Sequence, residues 1–314
     1  PEALEARLRV YERAGIRWIT VWDDVYPELL RHTAEPPWVL YAIGDIALLN
    51  RHCLAIVGTR TPTAYGRKVA ENLAAALVRA GFCIVSGMAR GIDSAAHWGA
   101  LRGGGDTIAV LAGGVEQVYP PENRPLYREL ADRGLIVSES PLGTPMHPGL
   151  FPVRNRIIAG LSLGTIVVEA ADRSGSLITA DLALDASRDV FAVPGPITSP
   201  KSRGTLKLIK QGAKIVTSPD DIAEEYMHMI NTSESSYTRP AANVETLTEE
   251  EQKIYDMLLG EPLTIDQLLE RSQINFGHLH SVLLSLLLKK RIQQLSGPSY
   301  IALGNDGIME TIKR

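Results

Sequence analysis

The sequence is short of what several functional classes require. Only two of its 314 residues are cysteine, Cys53 and Cys83. That excludes a disulfide framework and argues against a cysteine metal site. Each thiol borders an apolar run, so both read as reduced, buried thiols of a cytoplasmic protein. No apolar run approaches the ~18 residues that a membrane span needs. The start, Pro1 to Glu5, has no basic-then-apolar signal pattern. The seven histidines include no HExxH spacing, and His278 and His280 are two apart and do not share a helix face. The GxGxxG and GxxxxGK[ST] patterns are both missing. No metal or cofactor is therefore expected. Basic charge is also lacking: the formal net charge is −4, whereas proteins that bind polyanions are usually basic.

What the chain does have is a strict alternation of apolar runs and helical patterns. The runs Leu54–Val57, Cys83–Val85, Thr107–Leu111, Leu135–Val137, Thr165–Val168, Val190–Val193 and Lys214–Val216 are continuous rather than alternating. Continuous runs suit strands buried on both faces. Helices between them imply βαβ units, hence an α/β fold with a doubly wound, mostly parallel sheet over 48–217. Ligands of such sheets bind beyond the carboxyl ends of the strands. Residues 1–47 read as an N-terminal extension, a helix followed by an extended lead-in. Residues 218–247 read as a linker, with a short helix through Met229 and then a stretch rich in Ser, Thr, Pro and Ala. Residues 248–314 read as a small second domain. There Thr248 to Glu251 resembles a capping box, and three helices followed by a hairpin (Ile292–Leu295, Gly297-Pro298, Tyr300–Ala302) make a winged-helix pattern.

The strand-end loops hold the candidate chemistry. Gly58, Thr59 and Arg60 begin a turn of hydroxyls and a guanidinium ahead of a helix start, which suits an anion; helix capping and a solvated charge are the structural alternative. Ser86 and Gly87 end the next strand, where glycine permits close approach to a ligand or a tight strand–helix junction. Nearby, Asp93 reads as an N-cap and His97 as a packing residue. Phe151 to Ile158 is the densest cluster. Arg154, Asn155 and Arg156 suit phosphate, because the guanidinium fork matches its geometry, and Phe151 offers a base a stacking face. The alternative makes Phe151 core and the arginines surface charge. Ser174, Gly175 and Ser176 open another helix as a second anion cradle. Residues 196–214 carry Lys201, Arg203, Lys207, Lys210 and Lys214 and no acid, which builds positive potential. Candidates for acid–base work are few: His97, Glu139 and Glu169.

The motifs VGTRTPTAYG, SGMARGIDSAAH, TIAVLAGGVEQVYPPEN, LIVSESPLGT, FPVRNRIIAGLS, VVEAADRSGSLITA and VFAVPGP stand in that order. As a set they resemble the DNA-processing protein A family (DprA, also called Smf), over 16–217 and on into 248–303. The resemblance implies an extended Rossmann-like domain that binds single-stranded DNA without catalysis. It also implies a homodimer that protects incoming strands and loads the RecA recombinase onto them during natural transformation. By that likeness Gly58, Thr59, Arg60, Phe151, Arg154, Asn155, Arg156, Ser174, Gly175 and Ser176 contact DNA, with Ser86, Gly87, Lys201 and Lys207 as additional contacts. Family members carry a helical SAM-like domain at the N-terminus, of which 1–47 would keep a remnant. Leu206 stands where the family tends to have asparagine, so that contact is not carried over.

A second reading is an enzyme: a nucleotide hydrolase cleaving N-glycosidic or phosphoribosyl bonds through Glu139 or Glu169. Such enzymes tend to carry a PGGxGTxxE-like motif, and the nearest segment here, Gly113 to Glu116, lacks it. Dividing the charge shows that the acidic total does not exclude nucleic acid. Residues 218–240 carry −4, residues 241–314 carry −3 and residues 1–217 carry +3. The acidic winged-helix segment is expected to be a protein-interaction module. Titration of the isolated 248–314 segment with duplex DNA should show affinity weaker than micromolar; micromolar binding would overturn that reading.

Overall fold

The computed structural model describes residues 9–230, 247–259, 262–272, 274–289, 291–294 and 299–302. The chain divides into two compact units after residue 234. Most of the expected linker, 231–246, the Gly297-Pro298 turn and the C-terminal 303–314 lie outside the described residues.

In the first unit the apolar runs form a nine-stranded sheet. Its strands are β1 (Arg17–Thr20), β2 (Val39–Gly44), β3 (Cys53–Val57), β4 (Cys83–Ser86), β5 (Thr107–Val110), β6 (Leu135–Ser138), β7 (Gly164–Val167), β8 (Asp189–Ala192) and β9 (Lys214–Ile215). Their order is β1-β2-β6-β5-β4-β3-β7-β8-β9. In the stretch β6-β5-β4-β3-β7-β8-β9 every adjacent pair is parallel. Every residue of β3 through β7 is buried. Because side chains alternate across a sheet, Cys53, Ala55 and Val57 pack on one face with Ile157, Ile158, Ala180 and Ala183. Leu54 and Ile56 pack on the other with Ala70, Leu73, Leu77 and Ala96. Cys53 and Cys83 are register partners, both free and buried.

The segment read as an extension behaves differently from that expectation. Its β1 and β2 form an antiparallel pair, and β2 runs antiparallel to β6, so 17–44 widens the sheet. Ile19, Tyr26, Leu30, Leu40 and Ala42 join the core. The reason is the open edge of β6, which pairs with β2 instead of facing water.

The strand order fixes where a ligand can sit. From β3 the chain winds one way through β4, β5 and β6, and the other way through β7, β8 and β9. The connections part between β3 and β7, which opens a crevice at the carboxyl ends of those two strands.

The second unit is a winged helix. Helices Glu249–Leu258, Ile265–Ser272 and Phe276–Leu288 pack with β10 (Leu263–Thr264), β11 (Ile292–Gln294) and β12 (Ser299–Ala302), in the order β10-β12-β11. Ile254, Leu258, Leu268, Leu279, Leu283 and Leu286 form its centre. The capping box is present: Thr248 N donates to Glu251 Oε2 at 2.7 Å, and Glu251 N donates to Thr248 Oγ1 at 3.3 Å. The same carboxylate accepts from Ser285 Oγ at 2.6 Å and Lys289 Nζ at 2.7 Å. It thereby ties the first helix to the end of the third.

Those contacts, Lys289 foremost, hold the Glu251 carboxyl down at about 2. A carboxylate depressed in the folded state stabilises above its unfolded pKa, and the effect is lost as pH falls through the folded value. Glu251→Gln should therefore destabilise this unit at pH 7, by roughly 1.5–3 kcal/mol for a charged hydrogen bond. The difference from wild type should shrink between pH 4.5 and 2, as measured by urea unfolding at each pH.

Candidate functional site

The turn after β3 is shaped by a buried carboxylate. Glu169, at the end of β7, accepts from Thr63 N at 2.9 Å and from Thr63 Oγ1 at 2.5 Å. Thr63 Oγ1 also caps the helix Ala64–Arg79 by accepting from Gly66 N at 3.0 Å. A Cβ on Gly66 would lie 2.4 Å from the Glu169 carboxylate, so only glycine allows the clamp. Thr59 N donates to the Glu169 carbonyl at 2.8 Å, and Ile92 N donates to the Thr59 carbonyl at 3.2 Å. Pinned at both ends, the turn presents an exposed Arg60. The Arg60 guanidinium stands 5.0 Å from the centroid of the Phe151 ring, and Tyr119 leans against Phe151 at 5.5 Å between centroids.

The two arginines of Phe151 to Ile158 part company. They lie two residues apart on the helix Leu150–Gly160, and such positions face different ways. Arg154 is buried, and its Nη1 donates to the carbonyls of Gly87, at 2.8 Å, and Val110. Burial lowers its pKa to about 10, so it stays cationic at neutral pH. A Cβ on Gly87 would lie 2.5 Å from this guanidinium. The close approach expected of Gly87 is thus made to Arg154. Arg156 points elsewhere and binds Glu139 through Nη2, at 2.6 and 2.7 Å to its two oxygens.

Across the crevice, Ser174 caps the helix Gly175–Asp185. Its Oγ lies 2.8 Å from Ser176 Oγ and accepts from Ser176 N at 3.4 Å. Asn155 Nδ2 donates to the Gly175 carbonyl at 3.4 Å, joining the two helices. Nothing lies within 4 Å of a Cβ placed on Gly175, so the helix start faces open space.

A cavity of about 500 Å³ results. Gly58, Arg60, Phe151, Arg154, Asn155, Ser174, Gly175 and Ser176 line it, together with Asp93, Tyr119 and Ile178. Of the residues singled out in the sequence, Thr59, Ser86, Gly87, Arg156, Lys201 and Lys207 do not line it. Ser86 is buried, with its Oγ donating to the Ile56 carbonyl at 2.6 Å. Lys201 Nζ donates to the Thr61 carbonyl beside the cavity, and Lys207 is exposed on the helix Arg203–Lys210. Sequence reading missed Tyr119; its one signal was an aromatic before two prolines in the loop after β5.

Asp93 is not the N-cap expected, since Gly91 holds that position. Asp93 lies in the first turn, where its Oδ2 accepts from Ala89 N at 3.4 Å. Burial raises its pKa, and the nearby Arg154 partly opposes that shift. His97 is buried, with Nδ1 2.7 Å from Thr107 Oγ1. Burial, helped by Arg154, lowers its pKa to about 3, far below what a general base at neutral pH requires. Among the described residues no group of three or more His, Cys, Asp and Glu could hold a metal ion, and no helix is long and apolar enough to cross a membrane.

A family model for DNA recombination-mediator protein A matches residues 17–227, and one for the DprA winged helix domain matches 238–298. The DNA processing protein DprA of Bacillus subtilis is 46% identical over 219 residues, 69% of this chain and 74% of that protein. The crystal structure of DprA from Streptococcus pneumoniae aligns with a TM-score of 0.66 at 40% identity, covering 69% of this chain and 77% of that one. DprA from Helicobacter pylori, whose structure describes a single-stranded DNA binding mode, aligns with a TM-score of 0.62 at 31% identity, covering 68% and 97%.

The geometry separates an arginine that braces the site from one that faces its opening. Arg154→Met leaves the buried Gly87 and Val110 carbonyls without this donor, at a cost of about 1–3 kcal/mol for each buried group left unsatisfied. Thermal unfolding should show a clear fall in Tm for Arg154→Met and none for Arg60→Met.

Proposed function

From the premise that this chain belongs to the DNA recombination-mediator protein A family, we propose that it binds single-stranded DNA in the β3/β7 crevice and loads a RecA-type recombinase onto it. The observation that carries this reading is the exposed Arg60 over Phe151, facing the open helix start of Ser174–Ser176 across one cavity. Phosphate would sit between the Arg60 guanidinium and the amides of that helix start. A base would lie against the Phe151–Tyr119 pair, where stacking tolerates any sequence. The Helicobacter pylori relative's single-strand binding supports the ligand class, and the family's description as a recombination mediator supports the partner.

The chain acts on this reading as a binder without a catalytic step. Glu169 is committed to Thr63 and Glu139 to Arg156, so neither carboxylate is free to activate water in the cavity. A homodimer, which would double the DNA contacts and raise avidity, and a cytoplasmic location belong to the same proposal. One observation favours a hydrolase instead: Asp93 lines the cavity with a raised pKa. Release of free base from nucleoside monophosphates, abolished by Asp93→Asn, would establish that reading.

The binder reading is tested by fluorescence anisotropy with oligothymidine over a salt series. Arg60→Ala should weaken binding about 10-fold or more and flatten the salt dependence by ~0.7, the share of one phosphate on a single strand. Unchanged affinity would remove Arg60 and this cavity from the binding site.

A further inference from the structure

The Gly58–Thr63 turn stands between two cavities. Gly58 and Arg60 line the first. Thr63 lines the second, of about 820 Å³, with Tyr65, Glu169, Pro194, Pro196 and Ser199. Both lie beyond the carboxyl ends of the parallel strands, the second where β7 and β8 end. Thr63 is three steps along the chain from Arg60, at most about 11 Å. That is about three nucleotides at the ~3.4 Å axial spacing of a stacked strand.

The second cavity has the chemistry of a base platform. Tyr65 is 51% exposed, at the first turn of the helix Ala64–Arg79. Its hydroxyl donates to the Pro194 carbonyl at 3.3 Å, which holds the ring upright at the cavity wall. Pro194 and Pro196 supply further apolar surface, and the Glu169 carboxylate is turned to Thr63 N and Oγ1. The cations around it suit a strand of phosphates. Lys201 hydrogen-bonds the Thr61 carbonyl, on the turn between the cavities. Of the basic run 196–214, Arg203 pairs with Asp172 at 3.6 Å, and Lys214 pairs with Asp189 at 3.1 Å and Glu225 at 2.8 Å. Lys207 and Lys210 remain exposed.

We propose that the groove beside Tyr65 is a second base subsite, in which the strand leaving the first cavity crosses the Arg60 turn, passes Lys201 and stacks a base on the Tyr65 ring. The proposal rests on the reading that this chain binds single-stranded DNA. It commits the groove to DNA because the groove continues from the first cavity across a turn that carries Arg60 and Lys201.

The test uses the full chain and an oligothymidine of about 12 nucleotides, roughly 40 Å at ~3.4 Å per nucleotide and so longer than the path between the two cavities, carrying a single 5-iododeoxyuridine. Irradiation followed by mass spectrometry should show a cross-link on Tyr65. Tyr65→Ala should weaken binding roughly 5-fold or more, the lower end for loss of one stacked base. Tyr65→Phe keeps the ring and loses only the hydroxyl, and should bind within about 2-fold of wild type, by the same stacking argument. If Tyr65→Phe weakens binding as much as Tyr65→Ala, the tyrosine acts only as a latch on Pro194 and the proposal fails. It also fails if Tyr65→Ala binds normally and Tyr65 is not cross-linked while Arg60→Ala weakens binding; the first site then stands alone. If Arg60→Ala and Tyr65→Ala both bind normally, the subsite and the reading beneath it fall together.

Discussion

A parallel sheet buried on both faces can meet a ligand only at its strand ends. With every residue of β3 to β7 enclosed, the loops at the carboxyl ends are the places where backbone and polar side chains of the sheet reach solvent. Where the winding reverses, between β3 and β7, those loops diverge and leave a crevice. Nothing in that step is specific to one ligand. The residues set on the crevice decide what enters it.

Two buried charges hold those residues in place, and each is answered by the groups around it. The Glu169 carboxylate fixes the Gly58–Thr63 turn through Thr63, while the Arg154 guanidinium bridges Gly87, just past β4, and Val110, the last residue of β5. A buried charge is costly unless hydrogen bonds surround it, and both have them. Glycine is what makes room: Gly66 against the carboxylate and Gly87 against the guanidinium. The exposed Arg60 is therefore presented by a turn whose geometry is set from below. A preorganised turn loses little conformational entropy when it binds.

Much of this was legible in the sequence, and the misses have physical reasons. Continuous apolar runs ending in glycine marked the strands and their loops, which put Gly58, Arg60, Phe151, Asn155 and Ser174–Ser176 on one edge. Arg154 and Arg156 looked alike as residue types. Only the helical period, which sends positions two apart in different directions, distinguishes the brace from the Glu139 partner. Tyr119 could not be placed, because its contact with Phe151 joins a loop to the start of a helix about thirty residues further along the chain. The strands β1 and β2 were hidden because their burial is interrupted and not continuous: β1 buries only one of its four residues fully, and β2 two of its six.

Charge illustrates the same gap between composition and place. The net −4 of the chain comes from the segments after residue 217, while residues 1–217 carry +3. Even that surplus overstates what a ligand would meet, since Arg154 is enclosed and Arg156, Arg203 and Lys214 are paired with acids. Around the crevice, Arg60 is left to face its opening, with Lys201 beside it on the turn. Unpaired cations in a recess act at closer range and with less screening than the same charges spread over a surface. A protein acidic overall can therefore attract phosphate locally, because binding depends on which charges lack a partner at the crevice and not on the total.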